Sequence, residues 1–180
     1  MTSPASAPTL TSLEAAPYLT EEGQIPEDWQ GKVGIYAIYN ADQQLQYVGY
    51  SRDVGLSLKQ HLVRQPEACH WVKVQTVERP SRTLLEGIRN DWIEQNGAVP
   101  PGNGEAEAAW NQPIDAKLTL TEAEQAEYAA LEEVAQIKYL KQTARRVEAQ
   151  VLEKLKARGV QMDLRFNPKL KEEGLLDLKQ

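Results

Sequence analysis

Two tyrosines, Tyr36 and Tyr47, stand in mirrored triplets, Gly34-Ile35-Tyr36 and Tyr47-Val48-Gly49, with ten residues between them. Each triplet lies in a strand-like run, Lys32 to Tyr39 and Leu45 to Gly49, and the polar stretch Asn40-Ala41-Asp42-Gln43-Gln44 between them reads as a turn. A hairpin closed there sets the two phenols near each other. Gly34 and Gly49 then leave room for a ligand's backbone where a side chain would block it. The same residues also suit an ordinary hairpin with two half-buried tyrosines, because aromatic side chains pack well on strands.

Other chemistry-bearing residues stand more singly. Glu86 has Arg82 four residues before it and Arg89 three after, the spacing of solvated charge pairs on a helix. His61 lies beside Leu58 and Leu62, where a partly buried helix histidine is expected. Cys69 and His70 are adjacent, but no further cysteine or histidine is placed to complete a zinc shell, and one cysteine cannot form an internal disulfide. Trp29, Trp71, Trp92 and Trp110 are large enough to stack on bases, yet suit the core and the joints between segments equally.

The elements that must position these residues follow from the change of period along the chain. Residues 31–96 read as strand, strand, helix, strand, helix. The first helix starts after Ser51 or Asp53, both good caps, and stacks Val54, Leu58 and Leu62. The third strand is His70 to Val77. Pro80-Ser81 opens a second helix with Leu84, Leu85, Ile88 and Trp92 on its buried stripe, ended by Gly97. Both helices are expected on one face of the sheet. Val99-Pro100-Pro101-Gly102-Asn103-Gly104 is a turn-rich loop of the kind that carries side chains to a site. Thr121-Glu122-Ala123-Glu124 has the form of a capping box, and Tyr128, Leu131, Val134, Ile137 and Leu140 continue an apolar stripe. The stripe predicts one long helix over 121–158, or two joined near Thr143. Alternating Met162, Leu164 and Phe166 suggest a short strand or docked tail.

Residues 1–30 hold five acids and no base, which accounts for nearly all of the net charge of −6. They read as a flexible acidic leader that becomes ordered only near Ile25 to Trp29. The remainder is close to neutral, without the basic balance of a tight nucleic-acid binder, so any DNA binding is expected to be weak and salt-sensitive. No apolar run is long enough to cross a bilayer and no secretory pattern opens the chain, so a soluble, cytoplasmic protein without membrane contact is expected.

The order of elements and the paired triplets resemble the GIY-YIG nuclease family, with valine in place of the second isoleucine. Closer detail resembles the GIY-YIG-like domain fused to monothiol glutaredoxins in plant chloroplasts and its free-standing cyanobacterial relatives. The residues that carry this likeness are Leu45 to Arg52, Pro66-Glu67-Ala68-Cys69, Val72-Lys73-Val74, Trp92-Ile93-Glu94 and Val99 to Asn103. No glutaredoxin pattern follows. The resemblance implies an α+β fold with a small three-stranded mixed sheet over residues 31–112, followed by a helical C-terminal extension over 113–180.

It also implies metal-dependent hydrolysis of a phosphodiester in DNA. In that chemistry Tyr36 would orient or deprotonate the water, and Tyr47 would contact the phosphate or share that role. Glu86 would bind a single Mg²⁺ or Mn²⁺, and Asn103 would hold the site or the phosphate. His61 matches a histidine position of the family's first helix, and Cys69 would be a redox-sensitive thiol by analogy with the plant relatives. One departure weakens the expectation. The position of the family's catalytic arginine is Ser57, with Arg52 in the preceding loop as the best substitute, so the expected activity is low. The alternative from another class is a catalytically silent module of the same fold that binds a protein partner through the apolar stripe of 121–158.

Overall fold

A computed structural model describes residues 8–179 and shows an α+β chain. In chain order, the strands of the first part are β1 (Ala16–Pro17), β2 (Gly34–Tyr39), β3 (Leu45–Ser51) and β4 (Trp71–Thr76). The helices are α1 (Val54–Arg64), α2 (Arg82–Asn96) and the short α3 (Glu107–Asn111). The hairpin β2–β3 forms as its turn residues dictate. Asn40 Oδ1 accepts from the N–H groups of Asp42 and Gln44, and Gln43 takes the left-handed conformation that closes the turn. The resulting register opposes Tyr36 to Gly49 and Ile38 to Tyr47, which puts both tyrosines on one sheet face.

The sheet corrects the expectation of three mixed strands. It has four, in the order β1-β4-β2-β3, and every neighbouring pair is antiparallel. Strands β3 and β4 do point the same way, as a strand-helix-strand connection tends to make them. However, β2 lies between them, so no parallel pair forms. The fourth strand comes from the leader.

The two main helices cover opposite faces of the sheet, not one. Asp53 caps α1 by accepting from Leu56 N–H, and Ser81 caps α2 by accepting from Leu84 N–H, with Gly97 closing α2 in the left-handed region. Helix α2 packs Leu85, Ile88 and Trp92 on Ile35, Ala37 and Val48. Helix α1 brings His61 against Tyr36 and Tyr47 on the other face. The physical reason is legible in β2, where residues of both parities from Gly34 to Ile38 are buried and so need cover on both sides.

The leader is also more ordered than its composition suggests. Its residues 1–7 lie outside the described residues, but from Leu10 onward it packs on the sheet unit. Leu10, Tyr18 and Ile25 are buried, the Tyr18 hydroxyl donates to Leu58 O, and Trp92 Nε1 donates to Pro8 O. Three apolar anchors within a polar segment suffice to dock it.

The chain divides into two compact units, residues 1–111 and 112–180. In the second, β5 (Ile114–Asp115) pairs with β6 (Leu175–Leu176), and the helices are α4 (Glu122–Ala129), α5 (Glu133–Ala157) and α6 (Pro168–Lys171). Thr121 and Glu124 complete the capping box. The expected long helix is two, broken at residues 130–132 and not near Thr143. Helix α4 folds back along α5, with the Tyr128 and Tyr139 rings 5.9 Å apart and Arg146 paired to Glu124 at 2.9 Å. No glycine or proline marks that break. In the tail, Phe166 makes one bridge to Leu178, and the strand itself falls at 175–176. Among the described residues no helix is long and apolar enough to cross a membrane.

Candidate functional site

Alternation along β2 and β3 aims Tyr36 and Tyr47 at α1, where the stripe that carries Leu58 and Leu62 also presents His61. The Tyr36 hydroxyl and His61 Nε2 are 2.8 Å apart, in a hydrogen bond whose direction follows the imidazole tautomer. The Tyr36 and Tyr47 rings lie 6.0 Å apart, and the Tyr47 ring lies 4.6 Å from the imidazole. Trp110, from α3, stacks on Tyr47 at 5.3 Å with the planes 5° apart. Tyr47 in turn donates to Asn111 Oδ1 at 2.7 Å. The exposure of Tyr36, Tyr47, His61 and Trp110 is 2%, 8%, 4% and 2%, so the cluster is nearly dry.

Burial decides its protonation. It drives the Tyr36 phenol well above its usual value, with the neighbouring Tyr47 adding to the rise. Tyr47 is raised by burial too, against opposing pulls that include Arg89 and Arg64. His61 is pushed down to about 3, first by burial and then by the Arg64 charge. Both phenols and the imidazole are therefore neutral at pH 7, which suits them to donate and accept hydrogen bonds in place, and makes Tyr36 a poor base.

The glycines of the triplets serve the chain's own packing. A Cβ on Gly34 would stand 2.4 Å from the carbonyl oxygen of Gln75 on β4, and one on Gly49 would stand 2.6 Å from the Tyr47 ring and 2.9 Å from the Tyr36 hydroxyl. The space expected for a ligand is filled from within. Asn103, likewise, is committed to the sheet. Its Oδ1 accepts from Val48 N–H at 2.8 Å and its Nδ2 donates to Val48 O at 2.7 Å, which satisfies the outer edge of β3.

Beyond that edge, a cleft of about 400 Å³ is lined by Tyr47, Arg89, Asn90, Asn103, Glu107 and Asn111, with Ile93 and Val99 as its apolar part. The structure thus joins Tyr36, Tyr47 and His61 in one cluster and sets Tyr47 and Asn103 at one cleft. Glu86 stands elsewhere. It lies on α2, on the opposite sheet face from Tyr36, one turn before Arg89 and Asn90. Its Oε1 accepts from Arg82 Nε at 2.8 Å and from the Tyr50 hydroxyl at 3.1 Å, contacts that hold the carboxyl below its usual value. Arg52 is exposed in the β3–α1 loop and makes none of these contacts. Ser57 does face the Tyr36 phenol, and its hydroxyl donates to Ser51 Oγ at 2.6 Å.

The sequence does not single out Asn111, and it gives Trp110 and Arg89 only other, less specific roles. Trp110 and Asn111 close on Tyr47 from a part of the chain without strong periodicity, and no local signal assigns them that role. Arg89 was read only as a partner of Glu86, although its position three to four residues before Ile93 and Trp92 already set it at the margin of the buried stripe.

No family model matches the chain. A stretch of 99 residues is 40% identical to the bifunctional monothiol glutaredoxin-S16, chloroplastic, of Arabidopsis thaliana. The match covers 53% of this chain and 32% of that protein, so the chain spans about a third of the length of this relative.

Proposed function

We propose that residues 31–111 form a GIY-YIG-type nuclease module that hydrolyses a phosphodiester of DNA weakly with one Mg²⁺ or Mn²⁺, in a cytoplasmic protein. The observation that supports it best is the meeting of the Tyr36 and Tyr47 phenols with His61 beside a cleft that also holds a cation, Arg89, and Asn103. Packing alone would favour apolar groups in such a buried position, because each buried hydroxyl must find a partner.

The residues on hand suit a loosely held hard cation better than a caged one. Among the described residues no three acids, histidines or cysteines cluster to enclose a metal. Both hydrogen bonds to Glu86 fall on Oε1, so Oε2 is open to a cation that keeps its water ligands, although Glu86 does not line the cleft, whose one acid is Glu107. When bound, such a cation would supply positive charge against the negative charge that develops on a phosphate. The chain's own residues do the rest. Tyr47 and Asn111 present polar groups to the cleft wall, Asn103 fixes β3, and the neutral Tyr36–His61 pair keeps Tyr47 in position from behind. With Ser57 in place of an arginine and Tyr36 buried, low activity is the consequence.

The second reading, a silent module that binds a protein, draws on two features. The tyrosine cluster is shut from water, and α5 leaves Val134 81% exposed, with Ile137 and Leu152 also on the surface. One assay separates the two. Incubation with supercoiled DNA and Mn²⁺ should give slow nicking that Glu86→Ala removes and that Ser57→Arg raises about tenfold or more by restoring a cation beside Tyr36. Equal background for wild type, Glu86→Ala and Ser57→Arg would leave the binding module standing.

A further inference from the structure

We propose that Arg89 is the residue that holds a phosphate of the bound nucleic-acid strand in the cleft beside Tyr47, taking over from α2 the task of the arginine whose position in α1 is Ser57. This rests on the reading of the substrate as a DNA phosphodiester. Arg89 lines the same cleft as Tyr47, Asn103 and Asn111, whereas Arg52 lines no part of it. Its guanidinium carbon sits 5.2 Å from the centroid of the Tyr50 ring, a placement that steadies the head group without consuming its charge. Its one hydrogen bond is a long one, 3.4 Å to Asn90 Oδ1, and no direct carboxylate ion pair engages it among the described residues, although Glu86 one turn earlier feels its charge. A half-buried guanidinium so held keeps most of its donors for a ligand.

The other cleft residues match a strand of nucleic acid. Asn90 and Asn111 supply neutral polar groups, and Ile93 and Val99 offer an apolar patch for a sugar or base. Glu107 is the one acid among the lining residues, and it opposes a phosphate until a cation intervenes. Binding without metal should therefore be held back by Glu107 and carried by Arg89. Electrostatic reach agrees, since Arg89 already acts on the Tyr47 phenol across the cleft.

The test is binding of a fluorescent single-stranded oligonucleotide to the full chain in EDTA over a range of low salt, followed by anisotropy. Arg89→Met keeps the stem over Tyr50 and removes the charge. It should weaken binding about tenfold and reduce the salt slope by about one. Arg89→Lys should recover part of the loss, and Glu107→Gln should tighten binding. Arg79→Ala, in the exposed β4–α2 loop, removes the same charge elsewhere and should change affinity less than about twofold. Far-UV dichroism and a melting curve on each variant confirm the fold. The proposal is overturned if the wild type shows no saturable binding, if Arg89→Met binds like wild type, or if Arg52→Ala has the larger effect. Because no metal is present, binding through Arg89 without Mn²⁺-dependent cleavage would remove the nuclease reading and keep this one. Cleavage untouched by Arg89→Met would do the reverse.

Discussion

His61 is the residue whose chemistry is most altered by its place in the fold. Pressed between Tyr36, Tyr47 and Trp110, it stays neutral down to about pH 3, against an ordinary 6.5. Between those two values the unfolded chain binds the extra proton and the folded chain does not. Stability contributed by the neutral imidazole is therefore complete above pH 6.5 and is lost as the pH falls, by up to about 1.4 kcal/mol per pH unit. His61→Gln keeps a hydrogen-bonding group for Tyr36 and cannot titrate. Urea unfolding at pH 4.5 and 7 should show a smaller drop for the variant than for wild type, and equal drops would mean that His61 is open to solvent.

At the scale of elements, β3 is the strand most in need of help, because it is the outer strand of its sheet and carries Tyr47. Its free edge is closed by one side chain from a turn, Asn103, which pairs with both backbone groups of Val48. Asn103→Ala leaves those groups without a protein partner and should lower stability by about 1–3 kcal/mol. The loss should be visible as a lower urea midpoint and as faster hydrogen exchange at the Val48 amide. Retained protection at Val48 would show that the edge does not depend on Asn103. The same substitution also loosens a wall of the cleft that Asn103 lines.

At the scale of the molecule, the chain is two compact units. The first holds the sheet, the docked leader, the tyrosine cluster and the cleft, all within residues 8–111. Its core is complete in itself, with Leu10 packed among Ile35, Val48, Leu85 and Trp92. Residues 1–111 expressed alone should thus unfold in one cooperative step with the near-UV dichroism of buried tyrosine and tryptophan. Residues 31–111, without the leader, should lose several degrees in midpoint, since the sites of Leu10, Tyr18 and Ile25 would open to water. A gradual, non-cooperative transition for residues 1–111 would refute this division of the chain.

Local signals determined much of this architecture. The polar turn at Asn40 to Gln44, the caps Asp53 and Ser81, the stop at Gly97 and the capping box at Thr121 act within a few residues, so their types alone set where strands and helices begin and end. The side-by-side tyrosines follow from the same short range, because hairpin register depends on the turn. What tertiary structure decided is long-range. Whether α2 shared a face with α1 depended on the burial of both sides of β2, and that choice carried Glu86 away from Tyr36 and put Arg89 at the cleft. The fold-back of α4 on α5 depended on contacts such as Tyr128 with Tyr139. The docking of an acidic leader rested on three apolar side chains that composition averages away. The closure of the tyrosine pair under Trp110 came from a residue 63 positions beyond Tyr47, a separation over which no periodic pattern carries information.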